Sequence, residues 1–262
     1  MKKLIAVLLA LVLVLSFAAC AATGKTGKAE QSVKTAVAGK LTMSTNAAFP
    51  PYEMTNDNGG FEGIDVEIAG AIAKKLGLEL VVDDMDFDAA LLAAQNGKSD
   101  IVMAGVSVTE ARLAVMDFSD SYATGVQVVI VKEGSDVNMD NLGEKMIGTQ
   151  RATTGYIYAS DTPENGGYGE DHVIAYDNGA SAVQALQNGQ VDCVIIDSAP
   201  AQAFVAANPG LALLDGNWVE EQYAIGMAKG NTELLNAVNT ALKELTADGT
   251  VQAIIDKYIS AK

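Results

Sequence analysis

From about residue 40 onward, apolar positions recur in two alternating rhythms. "KLTMST" (40–45) reads as a strand. In "IDVEIAGAIAKKLG" the residues Ile64, Ile68, Ile72 and Leu76 stand four apart, which puts them on one face of a helix that Gly77 stops, and the strand pattern "LELVV" follows. Near the other end, "NTELLNAVNTALKELTADG" sets Leu234, Leu235, Val238, Leu242 and Leu245 on one face, with Asn231 or Thr232 as cap and Gly249 as stop. Strands alternating with core-facing helices predict α/β layering.

One similarity within the chain organises the rest. "AAQNGKSDIVMAG" (93–105) and "ALQNGQVDCVIID" (185–197) each read as a helix end, a Gln-Asn-Gly stop, a two-residue step, an aspartate and an apolar run. Such runs suit strands buried on both faces of a parallel sheet, and two of them suggest two lobes of similar construction. In open α/β sheets ligands gather beyond the carboxyl ends of the strands. Gly105, Ser107 and Arg112 follow the first run, and Asp197 ends the second. A cation and an anion facing each other across a cleft would complement a free amino acid, with its carboxylate on Arg112 and its ammonium on Asp197.

Plainer readings stand beside this one. "SVTE" (107–110) matches a capping box with Ser107 as N-cap, which would make Arg112 a surface residue in an ion pair worth less than about 1 kcal/mol. Asp197 would then merely cap the helix of "APAQAFVA". A third element favours the site: "KMIGTQRATTGYIYAS" (145–160) reads as strand, turn and helix start, with Thr153 and Thr154 where free amides and hydroxyls collect around an anion.

Composition narrows the partners. The chain opens with Lys2, Lys3, an apolar run from Leu4 to Val14, and Ala18 and Ala19 before Cys20. That is an export signal (1–19) ending as lipoprotein signals do, with Cys20 as the lipidated residue and 20–37 as a small, polar tether. The signal takes two of the 17 basic residues and none of the 33 acidic ones, leaving the mature chain more acidic than the −16 of the whole. Nucleic acid is an unsuitable partner for such a chain. Cys193 is left as a lone buried thiol, and His172, without a second histidine or a cysteine cluster, predicts no metal site. No GxSxG, P-loop or HExxH pattern marks a catalytic centre, and no cofactor is implied.

Taken together, "NAAFPPYEM", "GFEGIDVEIAGAIAKKLG", "GVSVTEARLAVMDFSDSY", "IGTQRATTG" and "VDCVIID", in that order, resemble bacterial extracellular solute-binding proteins of the polar amino-acid type, the relatives of histidine, glutamine and lysine/arginine/ornithine binding proteins of ABC importers. The resemblance covers 38–262. It implies a type II periplasmic-binding-protein fold, with one lobe from 38–124 and 223–262, a second from 127–217, and two hinge strands. It also implies a monomeric receptor, lipid-anchored to the outer face of the cell membrane, that closes on a free amino acid and delivers it to a permease.

By position, the resemblance makes Phe49 a ring stacked on the ligand and Tyr52 a nearby aromatic of the cleft wall, though both would equally serve as packing in the turn "FPPYE". Arg112 becomes the bidentate carboxylate partner, Thr154 a second carboxylate donor, and Asp197 the ammonium acceptor. Ala104 and Gly105 stand where some relatives carry two serines. Asn46 stands where dibasic-binding relatives carry an aspartate, and with Gln150 opposite it leans the expectation toward a polar uncharged ligand such as glutamine. The alternative function is an enzyme on the same fold, resembling cyclohexadienyl dehydratase.

Overall fold

Every fourth side chain of a helix returns to the same side, and the core takes that side of the helix Ile64–Lys75. Ile64, Ile68 and Ile72 are fully buried in the computed structural model, which describes residues 33–216 and 218–259. Gly77 adopts a left-handed φ of 70° just beyond the helix end, as its place in the sequence predicts. The helix Thr232–Ala247 buries Leu234, Val238, Leu242 and Leu245, and the Asn231 side chain caps it by accepting the Leu234 N–H. Leu235 lies at the edge of that stripe, partly buried against the core. A further helix, Thr250–Tyr258, follows the Gly249 stop.

The strands are β1 (Lys40–Thr45), β2 (Ala48–Phe49), β3 (Glu53–Thr55), β4 (Phe61–Glu62), β5 (Glu79–Asp84), β6 (Ile101–Val102), β7 (Met116–Lys132), β8 (Ile147–Gln150), β9 (Val173–Tyr176), β10 (Cys193–Asp197), β11 (Leu211–Leu213) and β12 (Val219–Ala228). Nine of them form one sheet in the order β5-β1-β6-β12-β7-β10-β8-β9, with β11 added on β7, while β2, β3 and β4 form a small separate sheet. At one end β5, β1 and β6 run parallel. At the other end β10, β8 and β9 do the same. Between them lie β7 and β12, antiparallel to each other and to their outer neighbours. The result is a two-lobed α/β fold joined by two crossing strands.

The internal similarity is structural. The helices Phe87–Gln95 and Gly179–Gln187 both end at Asn-Gly, with Gly97 and Gly189 at φ 68° and 73°. The two aspartates then do the same work: Asp100 Oδ2 accepts the Thr42 N–H at 2.8 Å, and Asp192 Oδ2 accepts the Met146 N–H at 2.8 Å. Each carboxylate thus ties down the start of the parallel strand beside its own. One expectation is corrected: β6 and β10 do not lie within purely parallel sheets, since the far side of each is flanked by an antiparallel crossing strand. The chain must return between lobes, and the two strands that make the return fill those positions.

Gln127 marks the crossing. Its backbone pairs with Val219 of β12 on one side and with Asp197 of β10 on the other, so β7 changes partners at this residue. Cys193 is fully buried in the second core, and burial pushes its thiol up to about 12, which keeps it protonated. Residues 33–37, assigned to the tether, lie against the domain, where the Ala36 N–H donates to Asp100 Oδ1 at 2.7 Å. The signal and Cys20 lie outside the described residues, as does Asn217.

Candidate ligand-binding site

Arg112 is not on the surface, and among the described residues it makes no ion pair. It is 8% exposed on the short helix Glu110–Val115, and the cap of that helix is Thr109, whose hydroxyl accepts the Arg112 N–H. The capping box starting at Ser107 is therefore absent. Ser107 has instead entered the extended segment that pairs with β12 through an isolated bridge to Tyr223. The guanidinium donates from Nη1 to the Ser107 carbonyl at 2.8 Å and from Nη2 to the Ala152 carbonyl at 3.0 Å, and lies 5.5 Å from the centre of the Phe87 ring. Ala152 holds a left-handed φ of 62°, unusual for a residue with a Cβ, and it aims its carbonyl across the cleft. Five N–H donors serve two carbonyls, which leaves donors for a carboxylate.

Opposite Arg112 lies Asp197 at the end of β10. It begins the helix Ser198–Ala207, yet its side chain makes no capping bond; Oδ1 accepts the Tyr223 hydroxyl instead. Burial pushes its carboxyl up to about 7, with the charge of Glu221 adding to the rise and the Tyr223 hydroxyl opposing it. Arg112 and Asp197 line one narrow cleft, together with Asn46, Phe49, Ala104, Gly105, Ser107, Gln150, Thr153 and Thr154. Ten of the eleven positions singled out in the sequence thus converge. Tyr52 does not line the cavity; it lies behind, stacked on Phe49 with ring centres 5.9 Å apart and edge-on to Tyr223 at 5.1 Å.

The threonines act differently from the expectation. The Thr154 hydroxyl donates to Glu221 Oε2 at 2.8 Å, and the Thr153 hydroxyl donates to the Gln150 carbonyl at 2.7 Å. A hydroxyl has one proton, so in this geometry both are committed within the protein, and what remains for an anion is the amide end of the helix Thr154–Ser160. Gly105 is needed twice over. Its φ is 54°, and a Cβ there would stand 2.8 Å from Phe49 Cε1. Its N–H donates to Asp65 Oδ2 at 2.9 Å, a backbone contact that does not depend on a serine side chain.

Two lining residues were not singled out in the sequence, Glu53 and Phe87. Glu53 is fully buried, and neither of its carboxylate oxygens has a hydrogen-bond partner among the described residues. Burial, then the nearby Asp65, push its carboxyl well above the carboxylate range, and Asp65 itself is raised to about 6, chiefly by burial. The acid in "FPPYE" was legible as a residue, but its inward direction depends on how β2 and β3 fold over the cleft. Side-chain hydrogen bonds join the lobes directly, among them Gln150 Nε2 to Asn46 Oδ1 at 3.0 Å, Ser107 Oγ with Thr154 Oγ1 at 3.5 Å, Arg112 to the Ala152 carbonyl, and the Tyr223 hydroxyl to Asp197.

The family model described as bacterial extracellular solute-binding proteins, family 3, matches residues 41–261. The chain belongs to this family. A probable histidine-binding protein of Neisseria gonorrhoeae is 32% identical to it over 99% of the chain and 96% of that protein. Among solved structures, an ancestral arginine-binding protein bound to glutamine is 38% identical, with a TM-score of 0.79 over 86% of this chain and all of the other. An ancestral arginine-binding protein bound to arginine matches at 38% with a TM-score of 0.78, over 85% and 99% of the two chains. Family membership places the protein among extracellular solute-binding proteins, and relatives 30–32% identical to it are named as amino-acid-binding proteins rather than as enzymes, which favours the receptor reading over the dehydratase alternative. No helix among the described residues is long and apolar enough to cross a membrane.

Proposed function

We propose that the protein is a receptor that closes on one free amino acid and delivers it to an ABC permease, held at the membrane by lipid on Cys20. The observation that carries the binding role is the buried pair of opposite charges on the cavity wall: Arg112 from the lobe of 38–124 and 223–262, and Asp197 from the lobe of 127–217. A zwitterion satisfies both. Its carboxylate takes the free donors of Arg112 and the helix amides at Thr154, and its ammonium takes Asp197. Phe49, Phe87, Asn46, Gln150 and Glu53 also line the cleft and would receive the ligand's side chain.

Glu53 shifts the ligand class. In the ligand-free protein burial and Asp65 keep the Glu53 carboxyl neutral, and a cationic group beside it would favour the ionised form and gain a charge-assisted partner. The ligand is therefore a polar amino acid with a cationic end, arginine before glutamine. Glutamine remains the second reading because Asn46 and Gln150, which already bond each other, suit a neutral amide. A thermal-shift screen of the common amino acids tests both: a ligand at a hundred times its dissociation constant adds about 2.7 kcal/mol of stability. Arginine should give the largest shift. No shift with any amino acid would remove the receptor reading.

A further inference from the structure

Alternate residues of a strand face opposite sides. On β12, Glu221 and Tyr223 point inward and are buried, while Glu220 and Gln222 are exposed. Glu221 holds Thr154 and also accepts the Gln127 amide at 3.0 Å. Tyr223 is fully buried, and its hydroxyl donates to Asp197. Space for the phenol comes from Gly125 on β7, where a Cβ would stand 2.3 Å from the Tyr223 oxygen. Gly125 has no left-handed φ, so the close approach of the ring, and not the backbone, calls for glycine there.

We propose that Tyr223 is a positioning residue for ammonium recognition: carried on a crossing strand, its hydroxyl holds the Asp197 carboxylate toward the cavity and keeps it ionised. The inference rests on the assignment of the ligand ammonium to Asp197. A carboxylate buried beside the crossing loses the water that would stabilise its charge, and a phenol donor replaces part of that loss. The other titratable groups bearing on Asp197 do not do this work on the same side. Glu221 opposes its charge, the Tyr52 phenol and the Glu53 carboxyl are themselves raised and neutral, and Arg112, which favours it, is committed to the opposite end of the ligand; the Gln127 side chain is the second, weaker donor on its own side. Because the ammonium needs the anion, affinity is present above the Asp197 titration and is lost as pH falls through it.

The test is arginine affinity by calorimetry from pH 5 to pH 9 in the parent, Tyr223→Phe and Gly125→Ala. Losing the hydroxyl should move the acid limb upward by about one pH unit, which corresponds to about 1.4 kcal/mol, with affinities converging at the alkaline end. Gly125→Ala displaces the phenol without changing either titrating group, and should shift the limb in the same direction; it decides alone if Tyr223→Phe does not fold. An equal loss at every pH with an unmoved limb would mean that Tyr223 only packs, and would overturn the proposal. Asp197→Asn, compared on arginine and its des-amino analogue, separates the underlying reading. Undiminished discrimination there rejects the ammonium assignment itself, whereas lost discrimination with an unmoved limb in Tyr223→Phe rejects only the role of Tyr223.

Discussion

Arg112→Lys keeps the charge and removes the fork. In the structure one guanidinium donates to two carbonyls, Ser107 at 2.8 Å and Ala152 at 3.0 Å, and still has planar donors facing the cavity. A lysine ammonium is a point donor at the end of a flexible stem, so it cannot hold both carbonyls and also present two parallel N–H groups to a carboxylate. Hydrogen bonds to charged groups contribute about 1.5–3 kcal/mol each. Loss of one to the ligand, with weaker geometry in the other, predicts about 2–4 kcal/mol of lost binding, a fall in affinity of about 30- to 700-fold. Titration calorimetry with arginine reads the affinity. Thermal unfolding without ligand should fall by the equivalent of about 1–3 kcal/mol, because one buried carbonyl loses its donor while the positive charge beside Glu221 and Asp197 is retained. Affinity within threefold of the parent in a folded variant would refute the reasoning, since it would show that Arg112 supplies charge alone or serves only to tie the two carbonyls together.

Glu53→Gln should erase the preference for arginine over glutamine, by at least about tenfold if one charge-assisted bond is lost; an unchanged ratio in paired calorimetry would return Glu53 to a purely structural role. The ligand-free protein should gain stability as pH falls from about 8 to about 5, because Asp197 at about 7 and Asp65 at about 6 both titrate above the ordinary carboxylate value, so the folded state binds more protons than the unfolded chain in that window. Chemical denaturation at several pH values checks the sign, and a monotonic loss of stability over that range would contradict it. Saturating arginine should shift the population toward closed lobes that share the Asn46–Gln150 and Arg112–Ala152 contacts; small-angle scattering of a sample shown to start open should give a smaller radius of gyration, and an unchanged one would exclude closure.

The period of the chain determined much of this protein by itself. Ile64, Ile68 and Ile72 are buried because helical spacing places them on one face whatever lies opposite, and the two Gln-Asn-Gly stops end their helices because glycine accepts the left-handed turn locally. The strand that follows each stop, and the positions of Arg112 and Asp197 just after it, were legible for the same reason: each depends on residues near it in the chain. Tertiary structure decided what depends on distant partners. Whether Thr109 or Ser107 caps the helix of Arg112 was settled by the pairing of Ser107 with Tyr223, which lies more than a hundred residues away. The threonine hydroxyls looked free until Glu221 and the Gln150 carbonyl came into reach, and Glu53 looked like one more solvated acid in an acidic chain until the fold turned it into the cleft. Directions and partners of polar side chains are set by desolvation and by what faces them across the lobes, and no local period carries that information.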